Sequence, residues 1–334
     1  VPGSENAAAV NSIDETLLRL LACPYDGAGL RFENGALECP RAHIFAIEHG
    51  VPVFTEHPRR EPFPLNMRAL PKAGTLDRAR QPESIDPFVN DWIVNTNGNL
   101  YWRARGRLVR YPIPRWAFAP GNGKTLLDIG CSWGRWSIAA AHAGFHPIGL
   151  DLHLDALAAA VRVSRQLNAS CKFLCAGAEN LPLASRSVDF VLSYSVLQHI
   201  DKPAVLRAFQ EVARVLKPGG VCMIQLPNKA GPLSLLQQLR RGFREARTGS
   251  FEMRYWSRKE ILRAFAAAGL VNVRITADGF LSQNPQLRDL DLLTAAGKLI
   301  VLASSAGHKA AGALPVLTRV ADSLWIEARK PATR

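Results

Sequence analysis

The stretch LLDIGCSWGRWS (126–137) limits the possible folds of this 334-residue chain more than any other segment. Leu126, Leu127 and Ile129 read as a short buried strand interrupted by one acid, Asp128. Gly130, Ser132 and Gly134 then alternate with larger residues before a helical run opens. A glycine-rich turn between a strand and a helix lets backbone come close to a ligand, because a Cβ there would block the approach. Such a turn belongs to open parallel sheets, whose ligands sit beyond the carboxyl ends of the strands.

The surrounding pattern agrees. KTLLDIG (124–130), HPIGLD (146–151), CKFLCA (171–176), VDFVLSYS (188–195) and VCMIQL (221–226) read as strands, separated by helical runs. The helix after the glycine turn runs to about His142 and stops at Gly144. Between Pro203 and Leu216, residues Val205, Leu206, Phe209, Val212, Ala213 and Leu216 share one helical face. Ser257 and Glu260 form a capping box for a helix ending near Gly269. VNVRIT (271–276) and DSLWIEA (322–328) supply the last strands. This alternation predicts an α/β, Rossmann-like, doubly wound, mostly parallel seven-stranded sheet over 88–330. Residues 57–87 are Pro-rich and charged, without apolar periodicity, and read as a linker after a small β-rich module at 13–56.

Composition narrows the function class. Hydrophobic residues make up 48% of the chain, enough for a large core. No apolar run reaches the roughly 20 residues needed to span a bilayer. The opening VPGSENAAAV lacks the basic-then-apolar order of a secretory signal. Six cysteines are not laid out as a disulfide framework, which fits a reducing, cytoplasmic location. The formal charge of +13 invites a nucleic-acid reading, but residues 1–60 hold eight acids against five Lys or Arg. The excess lies in two clusters: Arg103, Arg105, Arg107, Arg110 and Arg115, then Arg240, Arg241, Arg244 and Arg247. They read either as solvated faces or as contacts to an anionic ligand or membrane surface, with nucleic acid the weaker partner.

From about 85 to 330 the chain resembles the class I S-adenosylmethionine-dependent methyltransferases. The resemblance rests on the first motif with Asp128, on Asp151 ending the second strand, and on AENLPL (178–183), SYSVLQHI (193–200) and LKPGG (216–220) in order. It implies that S-adenosylmethionine is held by Asp128, Gly130, Cys131, Ser132, Gly134, Asp151, Leu152, Ala178, Glu179 and Ser193. In that reading Asp128 lies near the amino group and Asp151 accepts both ribose hydroxyls. The sequence departs from the family pattern twice. Ser132 stands for the central glycine, and Gly177 stands where an acid often contacts adenine, leaving that contact to the Ala178 amide and apolar residues.

The segment after the fourth strand lacks an Asn-Pro-Pro-Tyr signature and resembles that of small-molecule and lipid-type enzymes. This points to O-methylation of a small anionic or amphiphilic acceptor, with an rRNA or tRNA methyltransferase and a non-catalytic scaffold as alternatives. His199 is a candidate base, and packing at a strand-to-helix junction is its alternative role. The insertion 278–318 reads as a lid or as extra core, and Trp92, Tyr101 and Trp102 as closing or packing residues. In the first module, Cys23, Asp26, Cys39 and His43 have the spacing of two metal knuckles. The segment resembles Trm112-like modules and the zinc-binding start of guanine-N1 rRNA methyltransferases. Asp26 replaces a second cysteine, so zinc is expected to be substoichiometric or absent.

Overall fold

The computed structural model describes residues 13–56, 58, 85–97, 101, 108–281 and 287–332. Most of the expected linker, together with Arg103, Arg105, Arg107 and Trp102, lies outside the described residues.

The chain opens with α1 (Glu15–Leu18), capped by Asp14, and five short strands: β1 (Arg31–Glu33), β2 (Ala36–Glu38), β3 (Ile44–Phe45), β4 (Ile47–Glu48) and β5 (Val51–Pro52). β1, β2 and β3 form an antiparallel sheet, and β4 and β5 a hairpin. Helix α2 (Pro87–Thr96) follows, with Asp86 as cap and Pro87 at its first position. The main unit then alternates β6 (Thr125–Ile129), α3 (Arg135–His142), β7 (His146–Asp151), α4 (Leu154–Gln166), β8 (Lys172–Cys175), β9 (Val188–Ser193), α5 (Lys202–Val215) and β10 (Leu216–Pro227). After α6 (Pro232–Arg240) and α7 (Arg258–Ala267) come β11 (Val271–Gly279), α8 (Ala295–Ala313) and β12 (Ser323–Arg329).

The seven-stranded sheet has the order β11-β12-β10-β9-β6-β7-β8. β8, β7, β6, β9 and β10 are parallel, while β12 runs antiparallel between β10 and β11. The order reverses at β6, so the connections leaving β6 and β9 run to opposite sides and leave the crevice that ligands of such sheets use.

The amphipathic faces fall largely where the spacing puts them. On α5, Val205, Phe209, Val212 and Val215 are fully buried, and Phe209 lies 4.7 Å from Phe265 of α7. A fully buried Phe contributes about 1.5–3 kcal/mol. Leu206, placed by its spacing on the same face, is instead 42% exposed, at the flank of the stripe. The capping box forms as expected: Ser257 Oγ accepts from Glu260 N (3.2 Å), and Glu260 Oε2 accepts from Ser257 N (2.8 Å).

The N-terminal module covers the free edge of the sheet. Phe54 N donates to Cys175 O at 2.8 Å, Ala184 N to Leu20 O at 2.8 Å, and Ala22 N to Pro182 O at 3.1 Å. Leu17, Leu21, Leu37 and Phe45 join the same buried cluster as Leu174 and Leu183. An edge strand left bare would offer its unpaired backbone to other chains, and this module closes it. Among the described residues no helix is long and apolar enough to cross a membrane. All six cysteines are free thiols.

Candidate functional site

The glycine turn takes the backbone form its composition requires. Gly130, Ser132 and Gly134 have φ of +75°, +50° and +83°. A Cβ on Gly130 would lie 2.2 Å from Val196 Cγ2, and one on Gly134 would lie 3.0 Å from Ala160 Cβ. Ser132 is thus a non-glycine residue in the left-handed region, at the position where the family pattern has glycine.

Asp151 holds the turn. Its Oδ2 accepts from Ser132 N and its Oδ1 from His153 N, both at 2.9 Å. The carboxylate at the end of β7 is therefore fixed against the turn, with further lone pairs left on each oxygen for a ligand. Asp128 is turned inward and 1% exposed; Ser137 Oγ donates to its Oδ2 at 2.7 Å. Burial raises its pKa to about 7, while Ser137 and the Arg135 guanidinium pull the other way. A carboxyl poised near neutrality takes up full charge when a cation arrives beside it.

The remaining expected positions divide. Cys131 is buried and, with Phe173, presses on Gly149, where a Cβ would meet Cys131 Sγ at 2.8 Å. Leu152, half-exposed, follows Asp151, and the buried Ala178 lies in the loop after β8. Glu179 is engaged by Arg207 of α5, whose Nε donates to it at 2.9 Å. Ser193 is fully buried and donates to Ile129 O at 3.1 Å, tying β9 to β6. Sequence reading missed Thr96 and Asn97 at the end of α2. Ser132 Oγ donates to Thr96 Oγ1 (3.4 Å), and Trp133 Nε1 to Asn97 Oδ1 (3.0 Å), so α2 braces the turn from outside the sheet. The only sequence signal nearby was the aromatic residue Trp92, now buried with its ring edge-on to His153.

His199 sits on a 3-10 turn (Leu197–His199) beyond β9. Its Nδ1 is 3.0 Å from Phe251 O, its Nε2 is 3.1 Å from Gln198 Nε2, and its ring stacks on Phe251 at 3.9 Å. A carbonyl on one side makes Nδ1 the donor, so the Nε2 lone pair faces the Gln198 amide. Burial lowers the pKa to about 4. The imidazole is neutral at pH 7, with both nitrogens engaged.

A cavity of about 1260 Å³ opens between α8 and the strands β10, β12 and β11. It is lined by five arginines (Arg115, Arg258, Arg274, Arg288 and Arg319) and by Phe118, Trp136, Met223 and Trp325, with Asp278 and Glu327 as its carboxylates. Arg258 Nη1 is buried with no hydrogen-bond partner among the described residues. Trp136 belongs to α3, two residues beyond Gly134. Tyr194 connects the two regions: its ring packs on Trp136 and Trp325, and its hydroxyl donates to Asp278 at 2.9 Å. Ser323 Oγ also donates to Asp278 (2.6 Å), Gln225 Nε2 donates to Ser323 (2.6 Å), and Ser195 N donates to Gln225 (2.8 Å). Burial raises the pKa of Asp278, so it faces the cavity closer to neutral than a free carboxylate.

Residues 126–220 match the family described as "Methyltransferase domain". The match covers 95 of the 334 residues, under a third of the chain. Together with the sheet order it gives the chain the class I S-adenosylmethionine-dependent methyltransferase fold. A biotin-biosynthesis bifunctional protein of Cellvibrio japonicus is 34% identical over 145 residues, 43% of this chain and 27% of that protein. An uncharacterized methyltransferase of Mycobacteroides abscessus is 34% identical over 121 residues, 35% of this chain and 46% of that one. The chain thus spans less than half the length of either relative. Among solved structures, an S-adenosylmethionine-dependent methyltransferase of Methanosarcina mazei aligns with 64% of this chain and 96% of its own, at 19% identity and a TM-score of 0.46.

In the N-terminal module the structure gathers all four expected ligands. The donor atoms of Cys23, Asp26, Cys39 and His43 lie within 4.8 Å of one another. His43 Nδ1 is 3.4 Å from Cys23 Sγ, 3.2 Å from Cys39 Sγ and 3.4 Å from Asp26 Oδ2, and Cys39 Sγ is 3.5 Å from that oxygen. Metal–ligand bonds of about 2.0–2.3 Å at tetrahedral angles put neighbouring donors roughly 3.3–3.7 Å apart. These four separations are of the size found between donors around one tetrahedral ion, and the set comprises two cysteines, an imidazole and the Asp26 carboxylate.

Proposed function

We propose that this chain is an S-adenosylmethionine-dependent methyltransferase that O-methylates a small amphiphilic acid. The observation that carries the acceptor class is the cavity in which five arginines and three aromatic rings meet, one of those rings, Trp136 of α3, being in contact with Tyr194. Apolar walls with a few convergent polar groups suit a small ligand, and arginines give a carboxylate or phosphate paired hydrogen bonds.

S-adenosylmethionine supplies a methyl group on a sulfonium, already a strong electrophile, so the protein's share is alignment and exclusion of water. Asp151 and the 130–134 turn hold the ribose, and Asp128 takes the amino group. The arginines hold the acceptor's head, and the insertion 278–318 supplies α8 as the outer wall of its site. An ionised carboxylate acceptor gives up no proton, so no base is needed. His199, engaged at both nitrogens, then serves as a positioning residue for the 195–201 turn. The N-terminal module holds one zinc through Cys23, Asp26, Cys39 and His43, as a cross-link and not as a reactant.

The test uses methyl-labelled cofactor with dodecanoate, dodecanol and dodecylamine as probes. Dodecanoate is expected to give a base-labile ester. Arg274→Ala with Arg319→Ala is expected to raise KM about 10–100-fold with kcat nearly unchanged, the size of one or two lost charge-assisted hydrogen bonds. His199→Ala is expected to cost less than about 10-fold in kcat, and the wild-type kcat at saturating cofactor, where Asp128 is fully charged, to be flat with pH between about 6 and 8. A base-stable product from dodecanol, with a loss of about 10²–10⁴-fold in His199→Ala, would restore His199 as the base and a hydroxyl as acceptor.

A further inference from the structure

Helix α6 is inside out. Its two buried positions are polar, Ser234 and Gln238, and the Gln238 amide donates to Lys229 O (2.9 Å) and Ser234 O (3.1 Å). Its leucines face water. Leu233, Leu235, Leu236 and Leu239 are 36% to 61% exposed, and Phe243 just beyond the helix is 62% exposed. At 3.6 residues per turn the four leucines cover an arc of about 160°. A surface helix of a globular protein has the opposite arrangement, apolar residues inward and polar residues outward.

The charge beside this arc is of one sign. Between 229 and 247 stand Lys229, Arg240, Arg241, Arg244 and Arg247 against a single acid, Glu245. Arg241 turns inward, donating to Met253 O at 3.1 Å and lying over the Tyr255 ring. Arg240, Arg244 and Arg247 are exposed. Residues 232–247 therefore present leucines and a phenylalanine edged by cations.

We propose that this segment docks on an anionic membrane surface, the leucines and Phe243 entering the headgroup boundary and the arginines meeting lipid phosphates. Charge complementarity selects the occupant. The cations are spread along one convex helix and the turn after it, and the leucine arc offers no polar group that would fix the register of a folded partner. A fluid anionic surface needs no register. The location is consistent with the acceptor reading without depending on it. Asp322 Oδ1 accepts from Leu233 N (2.7 Å) and Ser234 N (3.1 Å), and its Oδ2 from Leu281 N (2.8 Å). One carboxylate thus ties the start of α6 to the insertion that walls the cavity, and docking would hold that cavity where amphiphilic acids are stored.

Sedimentation of the full chain with vesicles tests this without cofactor or acceptor. Vesicles of phosphatidylcholine with about 30 mol% phosphatidylglycerol are expected to bind the chain at about 0.1 M salt, with binding weakened at about 0.5 M and weak throughout on phosphatidylcholine alone. Leu235→Ser with Leu239→Ser, and separately Arg240→Glu with Arg244→Glu, are each expected to reduce binding at least ~10-fold with an unchanged circular dichroism spectrum. Absence of binding to the anionic vesicles, or equal binding by both double variants, would overturn the proposal. So would concentration-dependent self-association that the leucine substitutions abolish while vesicles are ignored, because the patch would then belong to a second copy of the chain.

Discussion

Cys39→Ser is expected to release the zinc from the N-terminal module and to lower the melting temperature of the whole chain. A four-ligand structural zinc is worth about 10–16 kcal/mol in apparent binding energy, so one ligand accounts for about 2.5–4 kcal/mol, or roughly 10²–10³ in affinity. The loss reaches beyond the module. Cys23 and Cys39 are buried in the cluster that also contains Leu174 and Leu183, and the module's Phe54 N pairs with Cys175 O on the edge of the main sheet. Freeing that edge exposes β8 to intermolecular pairing, so aggregation on heating should accompany the lower melting temperature. Elemental analysis of protein purified without chelator is expected to give one zinc per wild-type chain. Wild type without zinc, or full zinc retention in Cys39→Ser, would contradict this reading.

The second large effect is expected at Gly130. An alanine there must hold φ near +75°, and its Cβ would sit 2.2, 2.4 and 2.7 Å from the two γ-methyls and the Cβ of Val196. All three atoms belong to a branched side chain next to the backbone, so little can yield. Overpacking of this kind costs about 1–3 kcal/mol, and a left-handed conformation adds about 1–2 kcal/mol. Relief requires the turn and the 196–200 segment to part, and the turn is what the ribose and methionine would contact. Gly130→Ala is therefore expected to weaken S-adenosylhomocysteine binding at least ~30-fold, about 2 kcal/mol. Gly219→Ala serves as the control, because its φ is +76° with nothing within 4 Å of the added Cβ. Equal affinities for Gly130→Ala and wild type would mean that the turn does not line the cofactor site.

The strands and helices from 124 onward were legible in the sequence because their signals are local: apolar runs of strand length, glycine at φ above zero, a capping box at Ser257. Asp151 was legible for the same reason, since it ends a strand one unit after the glycine turn. What stayed hidden depends on partners far along the chain. Nothing near His199 announces that the Phe251 carbonyl, 52 residues on, would take its Nδ1. Nothing near Glu179 announces that Arg207 of α5, 28 residues on, would engage it. The cavity joins residues from 115 to 327, and its arginines are scattered singly through the sequence. How near Asp26 would come to the other three donors also depended on packing, which sets its carboxylate oxygen 3.4 Å from His43 Nδ1. Helix α6 was not read from the sequence at all, and only the packing shows that its leucines face water.

Calorimetric titration of the full chain with S-adenosylhomocysteine, wild type beside Asp151→Ala, tests the central claim most directly. Asp151 accepts from Ser132 N and His153 N at 2.9 Å, and in the proposed function it takes the ribose hydroxyls as well. Wild type is expected to bind one equivalent, and Asp151→Ala to bind about 5–150-fold more weakly, the value of about 1–3 kcal/mol in charge-assisted hydrogen bonds. No heat from wild type at about 1 mM ligand, weaker than the roughly 4 kcal/mol that such an affinity represents, or an unchanged affinity in Asp151→Ala, would contradict the assignment of this turn to the cofactor.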